Sequence, residues 1–159
     1  MKQDHGTQMQ NYLKKYLEKK GYTVFRFHDQ QSGYAGSVND GDFLAVIKGE
    51  VYLIEVKCTT KDRLDFSALT QHQRNCQLDT LTPKSSENNV FGVVVFGYTD
   101  RGVKWIPAEE LFRIEREEKK SLRWEDHPEF NIKCRTPKNN AISKAVQSEI
   151  KPVCIKPQN

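Results

Sequence analysis

The sequence predicts an α/β fold, a central mixed β-sheet flanked by helices, and three observations carry that prediction. Residues 41–60 (GDFLAVIKGEVYLIEVKCTT) read as two strands folded back on each other at Lys48-Gly49. Residues 90–97 (VFGVVVFG) are the most apolar run in the chain. Continuous rather than alternating apolarity marks a strand buried on both faces. Two stretches with helical spacing, one before the hairpin and one after it, supply flanking layers.

The first helix is predicted over residues 8–20. Met9, Tyr12, Leu13, Tyr16 and Leu17 recur at three- and four-residue steps and make one apolar stripe. Lys14, Lys15, Glu18, Lys19 and Lys20 take the solvated face. Thr7 is read as the N-cap and Gly21 as the residue that ends the helix. Residues 22–27 (YTVFRF) are β-branched and aromatic and read as a strand. Residues 28–41 are turn chemistry, a long loop that runs straight into Asp42 and is read as an active-site loop. Strands over 43–47 and 51–57 follow, with residues 63–66 as a short extension of the sheet. A second helix is predicted over 69–81 with Thr70 as N-cap, its first turn crowded by Gln71, His72, Gln73 and Arg74. After the 90–97 strand come a last strand at 103–106 and a short helix at 108–112. A charged helical continuation over 114–123 is pinned by Trp124 and Phe130.

A chain of 159 residues is one domain with an ordinary core. The predicted division is a catalytic domain over 1–128 and a basic, irregular tail over 129–159. The tail holds Lys133, Arg135, Lys138, Lys144, Lys151 and Lys156 against Glu129 and Glu149, so the whole net charge of +4 lies there. Such a balance is compatible with nucleic acid. The cysteines (Cys58, Cys76, Cys134, Cys154) form no CxxC pair, which argues against a Cys-rich zinc finger. The N-terminus lacks the apolar core of a secretory signal, and no apolar run approaches the ~20 residues of a membrane span. The expectation is an intracellular protein, cytoplasmic or nucleoid-associated, with reduced thiols. Neither GxxxxGK[ST] nor GxGxxG occurs, so no phosphate-binding loop of those kinds is present.

The chemistry concentrates in the hairpin. Side chains at i and i+2 of a strand share a face, so Glu55 and Lys57 emerge together while Ile54 and Val56 point to a core. The turn folds Asp42 back beside Glu55. Two carboxylates and an ammonium at the end of an apolar sheet need compensation, and a divalent metal provides it. The cluster therefore reads as a metal-dependent hydrolytic site. The plainer alternative is an Asp42–Lys57 ion pair with Glu55 as a sheet-edge carboxylate.

Asp42 followed by Glu55-Val56-Lys57 resembles the D-(x)n-E-x-K core of the PD-(D/E)XK nuclease superfamily, with Gly41 where that motif usually has proline. Within it the chain is similar to the Holliday-junction resolvase branch, in its archaeal (Hjc-like) and RecU-like forms, over about residues 6–112. The phrases that carry the likeness are VFRF, YLIEVKCTTKDRL, residues 66–73, VFGVVVF and VKWIP. The resemblance implies a restriction-endonuclease-like core and a structure-selective DNA endonuclease that hydrolyses phosphodiester bonds of four-way junctions as a homodimer. It implies Mg²⁺ as cofactor, with Mn²⁺ able to substitute, held by Asp42, Glu55 and the Val56 carbonyl. Lys57 and Gln73 join Asp42 and Glu55 as catalytic residues. Ser32 or Ser37, Lys61, Arg63 and His72 are candidate DNA contacts. Relatives of this type carry a glutamate on the first helix where this chain has Gln10, which leaves one metal or two as open alternatives. Two other readings stand beside the resolvase: a restriction- or repair-type nuclease on the same fold, and a non-catalytic DNA-binding module.

Overall fold

Local chemistry sets the ends of the first elements. Helix α1 (His5–Lys19) buries Met9, Leu13 and Leu17, one side chain per turn, with Tyr12 and Tyr16 packed beside them. It starts at His5, so Thr7 lies inside the first turn instead of capping it. It ends as predicted at Gly21, whose φ of 83° is open to glycine at no steric cost. The Gly21 N–H donates to the Glu18 carbonyl and the Tyr22 N–H to that of Leu17, the paired bonds of a Schellman motif. Strand β1 (Thr23–Arg26) then pairs antiparallel with β2 (Phe43–Ile47), and β2 with β3 (Glu50–Thr59). Between β2 and β3, Lys48 and Gly49 have φ of 53° and 86°. Two left-handed residues in succession are the type I′ turn whose twist suits a two-residue hairpin.

The computed structural model describes residues 5–27, 39–83, 87, 89–98, 102–126 and 131–132. Among these, one sheet has six strands in the order β1-β2-β3-β5-β6-β8. Strand β5 (Val90–Tyr98) lies parallel to β3, while β6 (Gly102–Pro107) lies antiparallel to β5. The sheet is therefore mixed, and the apolar run is central, as its composition predicts. Strand β8 (Asn131–Ile132) pairs with β6, so the stretch read as an irregular tail adds a sixth strand.

One face of the sheet carries α1 over Phe43, Ala45, Ile54, Val56, Val93 and Val95. The other carries α3 (Ala108–Arg116), whose Leu111 and Ile114 pack with Val94, Phe96 and Ile106. Helix α2 (Gln71–Asp79) sits on that second face. Arg74 ties it to α3 through Glu115 and donates to the Phe66 carbonyl at 2.6 Å.

Two expected elements are corrected. Residues 63–66 do not extend the main sheet: β4 (Arg63–Asp65) pairs with β7 (Ser121–Arg123) in a separate two-stranded sheet. The 114–123 helix is not continuous, because α3 stops at Arg116 and Glu118 turns left-handed with φ of 62°. Trp124 is buried edge-on against Phe96, as its pinning role required. Phe130, Ser32, Ser37 and the chain from 133 onward lie outside the described residues.

Candidate active site

The site begins where β2 starts and β3 runs on past it. The Asp42 N–H donates to the Ile54 carbonyl at 2.9 Å, although Ile54 is already the partner of Phe43, so two successive residues face one residue of β3. There the ladder changes character. The Asp42 side chain, not the backbone, accepts from the next β3 donor, with Oδ2 2.7 Å from the Val56 nitrogen. A Cβ on residue 41 would stand 3.1 Å from both the Ile54 carbonyl oxygen and Leu53 Cδ1. Gly41 thus permits the close approach that brings Asp42 against β3.

A glutamine from each face of the sheet reaches this point. Gln10 of α1 donates to Asp42 Oδ1 at 2.6 Å and accepts from Arg26 Nη2 at 2.8 Å. Arg26 also donates to Asn11 Oδ1 at 2.8 Å. Gln73 of α2 donates to Glu55 Oε1 at 2.6 Å and accepts from Lys57 Nζ at 3.1 Å. Its Oε1 also accepts from the Thr70 N–H at 2.9 Å, while Thr70 Oγ1 accepts from the Gln73 N–H. That is a capping box on the predicted N-cap, so the chemistry that starts α2 also aims Gln73 at Glu55. The orientation of each amide follows from its partners. Guanidinium and ammonium only donate, and carboxylates in ionised form only accept.

Glu55 and Lys57 share a face, as their spacing predicts, with Lys57 Nζ 2.8 Å from Glu55 Oε1. Glu55 is 3 % exposed. Burial, then the neighbouring charge of Asp42, pushes its carboxyl up to about 7, against the opposing pull of Lys57. Two carboxylates that repel each other, one of them buried, form a hard-oxygen donor set of the kind Mg²⁺ takes. The residues present fit a divalent cation. The same sheet end brings Asp42, Glu55, Lys57 and Gln73 together. Lys61 and Arg63 are exposed and joined to Asp65 at 3.1 Å and 3.3 Å.

His72 is not a lone surface histidine. Its Nε2 lies 3.3 Å from Asp40 Oδ1 and 3.4 Å from Cys76 Sγ, and Cys76 Sγ lies 3.5 Å from Asp40 Oδ1. Burial and then Asp40 push the Cys76 thiol up to about 11. Sequence reasoning missed this triangle and the bond from Gln10 to Asp42. The signal available for the first was His72 and Cys76 at i and i+4 of one helix, a spacing that places both on one face.

Residues 1–73 match the archaeal Holliday junction resolvase family. The resemblance read from the sequence is borne out over that span. The match takes in Gln10, Asp42, Glu55 and Lys57 and ends on Gln73, so every side chain of the constellation lies within the matched residues. Among solved structures, the chain is similar to Hjc of Archaeoglobus fulgidus, a Holliday junction resolvase from an archaeal hyperthermophile. They share 18 % identity over 65 % of this chain and 78 % of that one, with a TM-score of 0.49. No curated protein matches the chain. No helix among the described residues is long and apolar enough to cross a membrane.

Proposed function

We propose that this chain is a divalent-metal-dependent DNA endonuclease that resolves four-way junctions as a homodimer inside the cell. One observation carries the reading. Asp42 and Glu55 converge with Lys57 and Gln73 at the end of the sheet, with Glu55 buried and destabilised as an anion. An ion pair kept only for stability gains little from a second carboxylate that raises the pKa of the first. The resolvase-family match over residues 1–73 supports the junction as substrate.

In this reading Asp42 and Glu55 would hold Mg²⁺, or Mn²⁺ in its place, with the Val56 carbonyl as a further ligand. The ion supplies charge neutralisation at the scissile phosphate and a lowered pKa for water. Lys57 orients the attacking water and stabilises negative charge that develops on phosphate. Gln73 holds Lys57 and Glu55 in mutual register and donates an N–H toward that water. Gln10 contributes no charge, so the site carries two carboxylates, a set that would favour one metal, or a weakened second one. Lys61, Arg63, either Ser32 or Ser37, and the basic residues beyond residue 132 would contact phosphate. Opposed nicks need two copies of the site, which a two-fold dimer provides. Phe25, 58 % exposed on β1, and Val46 on the same face of β2 offer that second copy apolar surface.

The test is cleavage of labelled four-way junction, linear duplex and single strand by the purified chain, in Mg²⁺ and in chelator. The expected result is paired nicks in the junction alone, absent in chelator. Equal cutting of linear duplex would remove the resolvase assignment and leave the nuclease. Tight junction binding with no product at any Mg²⁺ or Mn²⁺ concentration would leave a binding module.

A further inference from the structure

We infer that Asp40, His72 and Cys76 form a second metal site, for a thiophilic divalent cation of the Zn²⁺ class, separate from the carboxylate site. The three side chains come from two places. His72 and Cys76 are one turn apart on α2, and Asp40 lies on the segment that enters β2. Their ligand atoms close a triangle with edges of 3.3, 3.4 and 3.5 Å. Zn²⁺ with imidazole, thiolate and carboxylate at its usual bond lengths sets those atoms roughly 3.3–3.6 Å apart at tetrahedral angles. The observed edges therefore already have the size of one face of such a tetrahedron, with Asp40 exposed and His72 and Cys76 partly buried.

The three atoms are an imidazole nitrogen, a sulfur and a carboxylate oxygen, each of which carries a lone pair that a cation can take. A cation accepts a lone pair from all three atoms at once. The donor set also separates this site from its neighbour, since a cysteine ligand selects Zn²⁺ or Co²⁺ over Mg²⁺. Its position gives the ion a consequence. Asp40 is two residues before Asp42, and His72 is next to Gln73. A bound ion would fasten the segment carrying Asp42 to the helix carrying Gln73.

Co²⁺ is the probe, titrated into the full-length, metal-stripped chain and followed by absorption. The expected spectrum has a thiolate-to-cobalt band in the near ultraviolet and the visible bands of four-coordinate Co²⁺, saturating at one equivalent and displaced by Zn²⁺. Cys76→Ser should abolish the ultraviolet band, and His72→Gln should weaken binding by at least about tenfold. Glu55→Gln should leave both bands unchanged, because it belongs to the other site. His72 and Cys76 are partly exposed, and retained far-ultraviolet dichroism confirms that each of the three variants folds. An ultraviolet band that persists in Cys76→Ser, one that disappears in Glu55→Gln, or saturation without any thiolate band would overturn the assignment. Cleavage is not read, so the outcome is independent of the nuclease proposal.

Discussion

Gln10 and Gln73 each bridge an acceptor and a donor at the site, and they show which residue-scale features a sequence carries. Asp42, Glu55, Lys57 and Gln73 were legible because strand period, hairpin register and helix capping fix them locally. Gln10 was legible only as a missing carboxylate. Its bond to Asp42 depends on how α1 is rotated over the sheet and on Arg26 holding its carbonyl oxygen. Gln10→Glu replaces a donor to Asp42 by a third carboxylate. The metal-free protein should lose on the order of 1 kcal/mol in denaturant unfolding. Calorimetry should find Mn²⁺ bound several-fold more tightly. Unchanged Mn²⁺ affinity would mean that residue 10 does not face the ion. Glu55 sets a pH dependence as well. Its carboxyl is at about 7 in the folded protein against an ordinary 4.5, so the folded chain keeps a proton that the unfolded chain gives up. Without metal, stability should fall as pH rises from about 4.5 to 7, by on the order of 3 kcal/mol. Thermal melts in chelator should show this slope, and Glu55→Gln should flatten it. Equal slopes in both proteins would place the buried charge elsewhere.

At the scale of elements, what the sequence predicts well has a chemical marker. Gly21 ends α1, Lys48-Gly49 makes a type I′ turn, Thr70 caps α2, and the run of valines makes β5. Strands β4 and β7 have no such marker. Each is three residues long and exists through its partner, aided by bonds from Trp124 N–H to the Asp62 carbonyl and from Phe66 N–H to that of Lys120. Their pairing buries Leu64 and Leu122 with α3, a reward invisible to local pattern. The end of α3 lacks a marker too, because Glu118 takes a left-handed conformation without glycine or proline nearby. Two glycines of β5 give a contrast that tests the packing of the helices. A Cβ at Gly92 would meet Gln77 Oε1 and Thr80 Oγ1 at 2.5 Å, both buried at the root of α2. A Cβ at Gly97 would meet the terminal methyl of Met9, also at 2.5 Å, at the end of a flexible side chain. Gly92→Ala should cost about 2–3 kcal/mol in denaturant unfolding, and Gly97→Ala clearly less. The reverse order would contradict the way α2 sits on β5.

At the scale of the molecule, the mixed sheet with helices on both faces was legible from the order of helical and strand patterns alone. Where the domain ends was not. The net charge marks residues 129 onward as a tail, yet Asn131 and Ile132 pair with β6, because two residues completing a sheet edge leave no compositional trace. A deletion that probes the tail therefore starts at residue 133. It removes six basic side chains and should flatten the dependence of junction affinity on salt, by about 0.9 in the log–log slope for each phosphate no longer neutralised. An unchanged slope would assign those lysines to solubility. The central claim is that Lys57, held by Glu55 and Gln73, acts in chemistry and not in binding. It is tested most directly by single-turnover cleavage of a saturated four-way junction in Mg²⁺, comparing the unaltered chain with Lys57→Ala. The variant should bind the junction with the same affinity and cut it at a rate about 10²- to 10⁴-fold lower. Equal rates at equal occupancy would contradict that role for Lys57.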